Sequence, residues 1–322
     1  MTIQHDQAAR FADTFDRLVA NVDVAIKGKT HPIRLALTCL LSGGHLLLED
    51  VPGTGKTVLA KSIANTVEGT SSRIQFTPDL LPSDVTGVTI YNQQSGRFDF
   101  HPGPVFANIV LADEINRASP KTQSALLEVM EEGRVTVDGV AHETGAPFMV
   151  IATMNPIEQA GTYPLPEAQL DRFLMKTSLG YPDPQVAVQL LADAANRSRD
   201  LRVEPLITAE SVTQMGALAA DVHTDTSILE YITGLAEATR RHPEVALGVS
   251  MRGCLAFVRA AKTWALAQGR AHVLPDDVKA LALPVLGHRV LLTPDAQFSG
   301  VTTEQVVAQG VAQVPPPTQR VA

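Results

Sequence analysis

A short apolar strand runs directly into a glycine-rich loop and then into a helix, an order that few folds provide. His45–Glu49 (HLLLE) is predicted as the buried strand, Asp50–Thr57 (DVPGTGKT) as the loop and Val58–Val67 as the helix. Strand, glycine loop and helix in this order are typical of a phosphate-binding loop, or P-loop. The sequence therefore predicts a phosphate site where this strand ends.

The segments around the loop continue to alternate strands with helices. Further strands are predicted at Arg73–Thr77, Ile109–Glu114, Phe148–Thr153 and Met175–Leu179, helices at about Leu80–Val85, Pro120–Glu132 and Leu165–Phe173, and hairpins at about Thr89–Phe100 and Arg134–His142. Such alternation favours an α/β fold with a mainly parallel sheet that is covered by helices on both faces.

The chain is predicted to contain an α/β core, a helical domain and a tail. The core covers residues 1–182, with helices from about Phe11 to Ser42 and a hairpin insertion near residues 87–100. From Gln185 to about Leu292 the pattern is helical without a convincing strand, so residues 183–298 are predicted to form a smaller all-α domain. Residues 299–322 include Pro315–Pro317 and are predicted to be a flexible tail.

The P-loop departs from the general pattern G-x-x-x-x-G-K-[ST] only at its first glycine, where Asp50 stands. Backbone N–H groups of the loop can surround phosphates, and the helix that follows favours negative charge at its N-terminus. Lys56 would reach the β- and γ-phosphates and Thr57 would bind Mg²⁺. A glycine turn before a surface lysine remains the alternative. The predicted nucleotide-binding residues here are Pro52, Gly53, Thr54, Gly55, Lys56, Thr57 and Val58.

Polar residues also follow two of the other predicted strands. Asp113 and Glu114 end the apolar strand that begins at Ile109, and Asn155 follows the strand Phe148–Thr153. Asp113 would hold hydrated Mg²⁺, and Glu114 would polarise an attacking water as general base. The Asn155 amide would orient that water at the strand ends, where ligands bind in such sheets. A solvated helix cap and a simple Asn-Pro turn are the alternatives.

Arg172 lies in the segment LDRF, just before the last predicted strand. It would be too far from its own chain's phosphate site but could reach a neighbour's, where a guanidinium stabilises charge on a transferring phosphoryl group. A surface ion pair between Asp171 and Arg172 explains the residues equally well.

Five ordered segments together resemble MoxR-type AAA+ ATPases. They are GGHLLLEDVPGTGKT (Gly43–Thr57), FTPDLLPSDVTG (Phe76–Gly87), PGPVFANIVLADEINRASPKTQSALLEVMEE (Pro102–Glu132), ATMNPIEQAGTYPLPEAQLDRF (Ala152–Phe173) and VLGHRV (Val285–Val290). The resemblance implies the ASCE strand order, a helical lid and a hairpin insertion after the second strand. An acid at the position of Asp50 is usual in this family.

The resemblance also assigns site residues and an assembly. It implies that Arg172 is an arginine finger, and hence that the working unit is a homo-oligomer, a hexameric ring. Arg252 would be the lid arginine that contacts the γ-phosphate, although Met251 stands where the family commonly has proline. Ile26 and Gly28 would lie on the adenine side of the nucleotide.

The function that this resemblance implies is ATP-driven remodelling. ATP and Mg²⁺ would be bound and the ATP hydrolysed to drive chaperone-like maturation, or metal or cofactor insertion, of a client enzyme, together with a protein that carries a von Willebrand factor A domain. The alternatives are a motor subunit of a metal-chelatase-like complex and a nucleotide-gated scaffold with negligible turnover. A GTPase is disfavoured because no N-K-x-D segment occurs.

Composition excludes several other classes. A formal net charge of −8 argues against general nucleic-acid binding, which needs a basic face. The two cysteines, Cys39 and Cys254, lie in apolar stretches and are predicted to be buried core residues. No apolar run reaches the length of about 18 residues that a membrane span requires, and no apolar signal region begins the chain, so a cytoplasmic location without membrane insertion is expected.

Overall fold

The computed structural model describes residues 3–155, 162–195 and 203–317. Over this part of the chain it divides into two compact units. The core unit consists of Arg17–Leu165 and Thr177–Thr213, and the lid unit consists of Met1–Asp16, Pro166–Lys176 and Gln214–Ala322. This division differs from a single break between residues 182 and 183, because the segment up to Thr213 groups with the sheet and Pro166–Lys176 groups with the C-terminal helices.

The elements follow the alternation that the sequence predicts. The strands are β1 (Leu46–Glu49), β2 (Ser71–Gln75), β3 (Gly87–Asn92), β4 (Arg97–Pro102), β5 (Ile109–Asp113), β6 (Arg134–Val137), β7 (Val140–Glu143), β8 (Met149–Met154), β9 (Met175–Thr177), β10 (Val245–Leu247) and β11 (Leu291–Leu292). The helices are α1 (His5–Asp23), α2 (Thr30–Leu41), α3 (Lys56–Thr66), α4 (Pro82–Thr86), α5 (Pro120–Glu132), α6 (Glu167–Leu170), α7 (Pro184–Ala195), α8 (Ala209–Ala220), α9 (Thr226–Arg241), α10 (Met251–Ala267), α11 (Pro275–Leu286), α12 (Pro294–Phe298) and α13 (Thr303–Gln313).

The main sheet in the described residues has five strands in the order β2-β5-β8-β1-β9. The pairs β2–β5, β5–β8 and β8–β1 are parallel. Every residue of β5 is buried, as expected for a central parallel strand that helices cover on both faces. Because β8 lies between β1 and β5, the sheet has the ASCE order. The α/β prediction is confirmed, and the carboxyl ends of β1, β5 and β8 share one edge.

Both predicted hairpins are present beside this sheet. β3 pairs antiparallel with β4, and β6 pairs antiparallel with β7. In the second hairpin Asp138 and Gly139 both have positive φ, 50° and 79°, as a two-residue hairpin turn requires. The ring of Phe100 in β4 stacks on that of His142 in β7, with centroids 4.0 Å apart. The two hairpins are therefore in contact.

The N-terminal stretch is helical, as predicted, and contains two helices. Helices α1 and α2 are separate, because a turn that includes Gly28 with φ of 76° interrupts the predicted run from Phe11 to Ser42. Helix α6 is also only four residues long, whereas the sequence predicts a helix from Leu165 to Phe173.

The lid unit is helical apart from one small strand pair. β10 and β11 form an antiparallel pair that the helical pattern does not predict, and α13 lies within the segment predicted to be a flexible tail. Cys254 and Cys39 are buried, which confirms their prediction as core residues, and burial raises the pKa of the Cys254 thiol. Trp264 is buried in the same unit as Cys254. No helix in the described ranges is long and apolar enough to cross a bilayer.

Candidate nucleotide-binding site

The P-loop joins β1 to α3 and turns through two glycines. Gly53 and Gly55 have φ of 84° and 99°, in the left-handed region that side chains rarely adopt, and no atom lies within 4 Å of where a Cβ would stand. Helix α3 begins at Lys56, whose ammonium donates to the carbonyls of Asp50 (3.1 Å) and Val51 (3.0 Å). The loop therefore combines an open backbone surface, a cation and the N-terminus of a helix, which suits a phosphate chain.

The remaining loop residues take different positions. Thr54 is buried, Thr57 is half-buried at the start of α3, and Pro52 and Val58 are exposed. Of these side chains, the Thr57 hydroxyl is the oxygen that could bind a magnesium ion.

Asp50 has a structural role in place of the missing glycine. Its carboxylate is buried and accepts hydrogen bonds from the backbone N–H groups of Leu179 (2.5 Å) and Gly180 (3.0 Å), just after β9. A buried carboxylate needs such donors because an uncompensated charge in the interior is costly. Asp50 therefore ties the start of the P-loop to the chain that follows the neighbouring strand.

A hydroxyl on β8 holds the two acids at the end of β5, Asp113 as its last residue and Glu114 just after it. Thr153 is completely buried; its hydroxyl donates to Asp113 Oδ1 (2.7 Å) and accepts from the backbone N–H of Glu114 (2.8 Å). Glu114 itself has φ of 56° and ψ of 50°, a left-handed conformation that is uncommon for residues other than glycine. Thr153 thus joins the Asp113 carboxylate and the Glu114 backbone to the adjacent strand.

Three further side chains surround these acids. Gln75 Nε2 donates to Glu114 Oε2 (2.9 Å), and Arg117 Nη1 lies 2.8 Å from the same oxygen. Arg73 Nη2 lies 2.6 Å from Asp113 Oδ2. Sequence reasoning misses these residues and Thr153, although two signals exist. Arg73 and Gln75 are polar at alternate positions of one strand, hence on one face, and Thr153 is the hydroxyl within an otherwise apolar strand.

Asn155 reaches the same edge from β8. It is buried and follows directly after Met154, which is paired with Glu49 of β1. The Asp50 N–H donates to the carbonyl of Met154 (3.1 Å), so the P-loop and Asn155 leave adjacent strands side by side. The structure thus brings the P-loop, the Asp113–Glu114 pair and Asn155 to one edge of the sheet.

Ile26 and Gly28 lie in the turn between α1 and α2. Ile26 is buried, and a Cβ at Gly28 would stand 3.4 Å from Val186. The next residue, Lys29, donates from Nζ to the carbonyl of Tyr181 (2.7 Å), which follows the two residues bonded to Asp50. This turn is therefore linked to the P-loop through the segment after β9.

Arg172 and Arg252 belong to the lid unit. Arg172 is half-buried and follows α6, whereas Arg252 is exposed in the first turn of α10. Their assigned roles, as arginine finger and γ-phosphate contact, stay predictions.

Comparison with known proteins agrees with this geometry. The model of the ATPase family associated with various cellular activities (AAA) matches residues 45–175, and the model of the AAA lid domain matches residues 237–309. A crystal structure of a protein provisionally described as an ATPase, from Cytophaga hutchinsonii, is 36% identical with a TM-score of 0.90, covering 97% of this chain and 98% of that one. Fold and site define an AAA ATPase.

Relatives narrow the class further. Chaperone MoxR1 of Mycobacterium tuberculosis is 41% identical over 91% of this chain and 80% of its own length. Protein MoxR of Paracoccus denitrificans is 33% identical over 90% of this chain and 91% of its own length. The uncharacterised protein YeaC of Bacillus subtilis is 48% identical over 95% of this chain and 96% of its own length. The chain therefore belongs to the MoxR family of AAA ATPases.

Proposed function

We propose that this protein binds ATP with Mg²⁺ and hydrolyses it. The observation that carries the proposal is the shared sheet edge, where the P-loop, the two acids at the end of β5 and Asn155 lie together. Ligands bind at the carboxyl ends of strands in open α/β sheets because the loops there leave room for them. The family's ATPase domain covers all of these residues.

The residues at this edge fit a magnesium–triphosphate group. The open backbone at Gly53 and Gly55 would take the phosphates, and Lys56 would exchange its two carbonyl partners for phosphate oxygens. The Thr57 hydroxyl and the Asp113 carboxylate are the hard oxygen ligands that magnesium prefers. When bound, the ion neutralises charge on the β- and γ-phosphates.

Glu114 is proposed as the general base for the attacking water. Its carboxylate is only partly buried and is fixed by Gln75 and Arg117, so its position is set before any substrate arrives. A base held in place contributes about 10²- to 10⁴-fold to such reactions. Asn155, buried at the neighbouring strand end, is proposed to orient the same water.

Arg172 is proposed to act on a neighbouring subunit's nucleotide, in a ring of six copies. An arginine supplied from a second molecule stabilises the charge of the transition state and makes hydrolysis depend on assembly. Arg252 is proposed to contact the γ-phosphate, and Ile26 and Gly28 to lie on the adenine side.

The biological role proposed is chaperone-like remodelling of a client enzyme in the cytoplasm. The name of the relative in Mycobacterium tuberculosis, Chaperone MoxR1, supports a chaperone role. A partner with a von Willebrand factor A domain, and metal or cofactor insertion into the client, belong to this proposal. A motor subunit of a metal-chelatase-like complex is the second candidate, since the same ATPase site would serve it.

Replacing Glu114 with Gln tests the enzymatic proposal. The variant should bind ATP with unchanged affinity but release phosphate at least about 100-fold more slowly, because the amide cannot accept a proton. Glu128→Gln, on the exposed face of α5, makes the same charge change away from the site and should keep full turnover.

Two results would contradict the proposal. Equal turnover in Glu114→Gln would remove the general-base role. Negligible phosphate release from the unaltered protein, with ATP still bound, would instead favour the nucleotide-gated scaffold.

A further inference from the structure

Arg289, in the lid unit, is a buried cation whose three guanidinium nitrogens all donate hydrogen bonds. Its side chain is 1% exposed, and Nε donates to Asp171 Oδ1 (2.6 Å). The other two nitrogens of the guanidinium donate to backbone carbonyls: Nη1 to those of Val285 and Leu174 (3.2 Å), and Nη2 to those of Asp171 (3.2 Å) and Phe173 (2.6 Å). All of these bonds except the one to Val285 reach residues 171–174, which surround Arg172 on both sides.

Asp171 extends the network to the start of helix α10. Its second oxygen, Oδ2, accepts from the hydroxyl of Ser250 (2.7 Å). Ser250 is the N-cap of α10, where its oxygen accepts from the N–H of Gly253 (3.0 Å). Arg252 lies in this same first turn, so one carboxylate connects the segment of Arg172 to the turn of Arg252.

The first turn of helix α10 packs closely against the side chain of Arg289. A Cβ at Gly253 would stand 2.8 Å from Cδ of Arg289 and 2.8 Å from Val249, so the first turn of α10 lies directly against the guanidinium stem. His288, the preceding residue, donates from Nε2 to the carbonyl of Phe173 (3.1 Å). The GHR sequence Gly287–Arg289 thus contacts the Arg172 segment through two consecutive side chains.

We infer that Arg289, Asp171 and Ser250 form a positioning clamp that holds Arg172 and Arg252 in a fixed relation to each other. The inference rests on the proposed function, in which Arg172 acts on a neighbour's nucleotide and Arg252 on the γ-phosphate. Because both arginines extend from backbone that the clamp fixes, a change sensed at one is transmitted to the other through a rigid segment. The clamp residues act through these arginines and do not touch the phosphates.

A purely structural role is the competing explanation, and the chain offers a matched control for it. Arg270 and Asp277 form a second arginine–aspartate pair in the same unit, with Nη1–Oδ2 and Nη2–Oδ1 distances of 2.7 and 2.6 Å and an Asp277 side chain 3% exposed. Neither residue adjoins Arg172 or Arg252 in sequence. Asp277→Asn should therefore weaken the lid unit comparably without displacing either arginine.

The experiment compares ATP turnover in Asp171→Asn, Ser250→Gly and Asp277→Asn, each beside its free energy of unfolding. Ser250→Gly keeps an acceptable N-cap residue while removing the hydroxyl that bonds Asp171, so it changes stability little. We expect Asp171→Asn to lower turnover about tenfold or more, since small displacements of positioned groups have effects of this size. Asp277→Asn should turn over ATP like the unaltered protein.

Combined variants separate positioning from stability. In a background that carries both Arg172→Ala and Arg252→Ala, neither Asp171→Asn nor Ser250→Gly should lower turnover further, because both residues that the clamp positions are already absent. A further loss of turnover in that background would overturn the clamp. Equal turnover in Asp171→Asn and Asp277→Asn would also overturn it, provided that Arg172→Ala is inactive. Full turnover in Arg172→Ala would instead refute the proposed role of Arg172, and the clamp with it.

Discussion

Thr153 joins the two acids at the end of β5 to the neighbouring strand. Its hydroxyl serves Asp113 as a donor and Glu114 as an acceptor at the same time. Thr153→Val keeps the shape but leaves the Glu114 N–H without this partner. We expect the free energy of unfolding to fall by about 2 kcal/mol, the typical cost of a buried donor without a bond. Turnover should fall more than ATP affinity.

The control for this prediction is Thr153→Ser, which keeps the hydroxyl and loses only a methyl group. Urea unfolding and phosphate release measure the two effects. If Thr153→Val and Thr153→Ser behave alike, the hydroxyl does not position the acids.

His288 makes stability depend on pH. Burial, and then the neighbouring Arg289 guanidinium, hold the pKa of His288 well below its ordinary value of 6.5. The folded protein therefore keeps this histidine neutral where the unfolded chain takes up a proton. Stability from this source is complete above pH 6.5 and declines as the pH falls below it, by up to about 1.4 kcal/mol for each pH unit.

Unfolding by urea between about pH 7.5 and 5.5, a window that brackets the ordinary pKa of histidine, measures that decline. His288→Gln keeps a donor for the Phe173 carbonyl but does not titrate, so its stability should fall less steeply over the same range. Parallel curves for the two proteins would show that His288 is not the group responsible.

Residues that act through a motif can be predicted from the sequence, whereas residues that act through a tertiary neighbour cannot. Lys56, Asp113 and Glu114 are predictable because each lies in a short sequence pattern, the glycine-rich loop or the acidic end of an apolar strand. Arg73 and Gln75 reach the acids because β2 pairs with β5 in register, and the strand order that the resemblance implies does not give the contacts between individual side chains. The functional roles of the motif residues themselves stay predictions until turnover is measured.

At the scale of elements, α13 is the clearest difference from prediction. The prolines at 315–317 suggest a flexible tail, yet the helix ends just before them, as helices commonly do. The start of α13 has a readable signal. Thr302 accepts from the N–H of Gln305, whose side chain accepts from the N–H of Thr302, a capping box. The strand pair β10–β11 is too short to show a period in the sequence.

The burial of α13 allows its contribution to stability to be tested. Val306 is 1% exposed, and the helix packs on α9 and α11. Val306→Ala should lower the free energy of unfolding by about 2 kcal/mol, because it removes two buried methyl groups and leaves a cavity. Gln313→Ala, at an exposed position of the same helix, should be nearly neutral. Equal stability of the two variants would mean that α13 does not pack in solution.

At the scale of the whole molecule, the proposal makes the subunit an incomplete enzyme. Each phosphate site would take Lys56 and Glu114 from one chain and Arg172 from the next. A defect at Lys56 or Glu114 should therefore be distinguishable from a defect at Arg172 when subunits of different variants are mixed. Arg172→Ala alone should lower turnover about 10³-fold, the effect typical of an arginine supplied by a second molecule.

Mixing subunits tests this division directly. Arg172→Ala subunits carry an intact Glu114, and Glu114→Gln subunits carry an intact Arg172, so a mixed ring contains some complete sites and should regain turnover. A mixture of Glu114→Gln with Lys56→Ala contains no complete site, because both changes affect the chain that binds the nucleotide, and should stay inactive. Phosphate release from equimolar mixtures measures both. If neither mixture regains turnover although mixed assemblies form, Arg172 acts within its own chain or not at all.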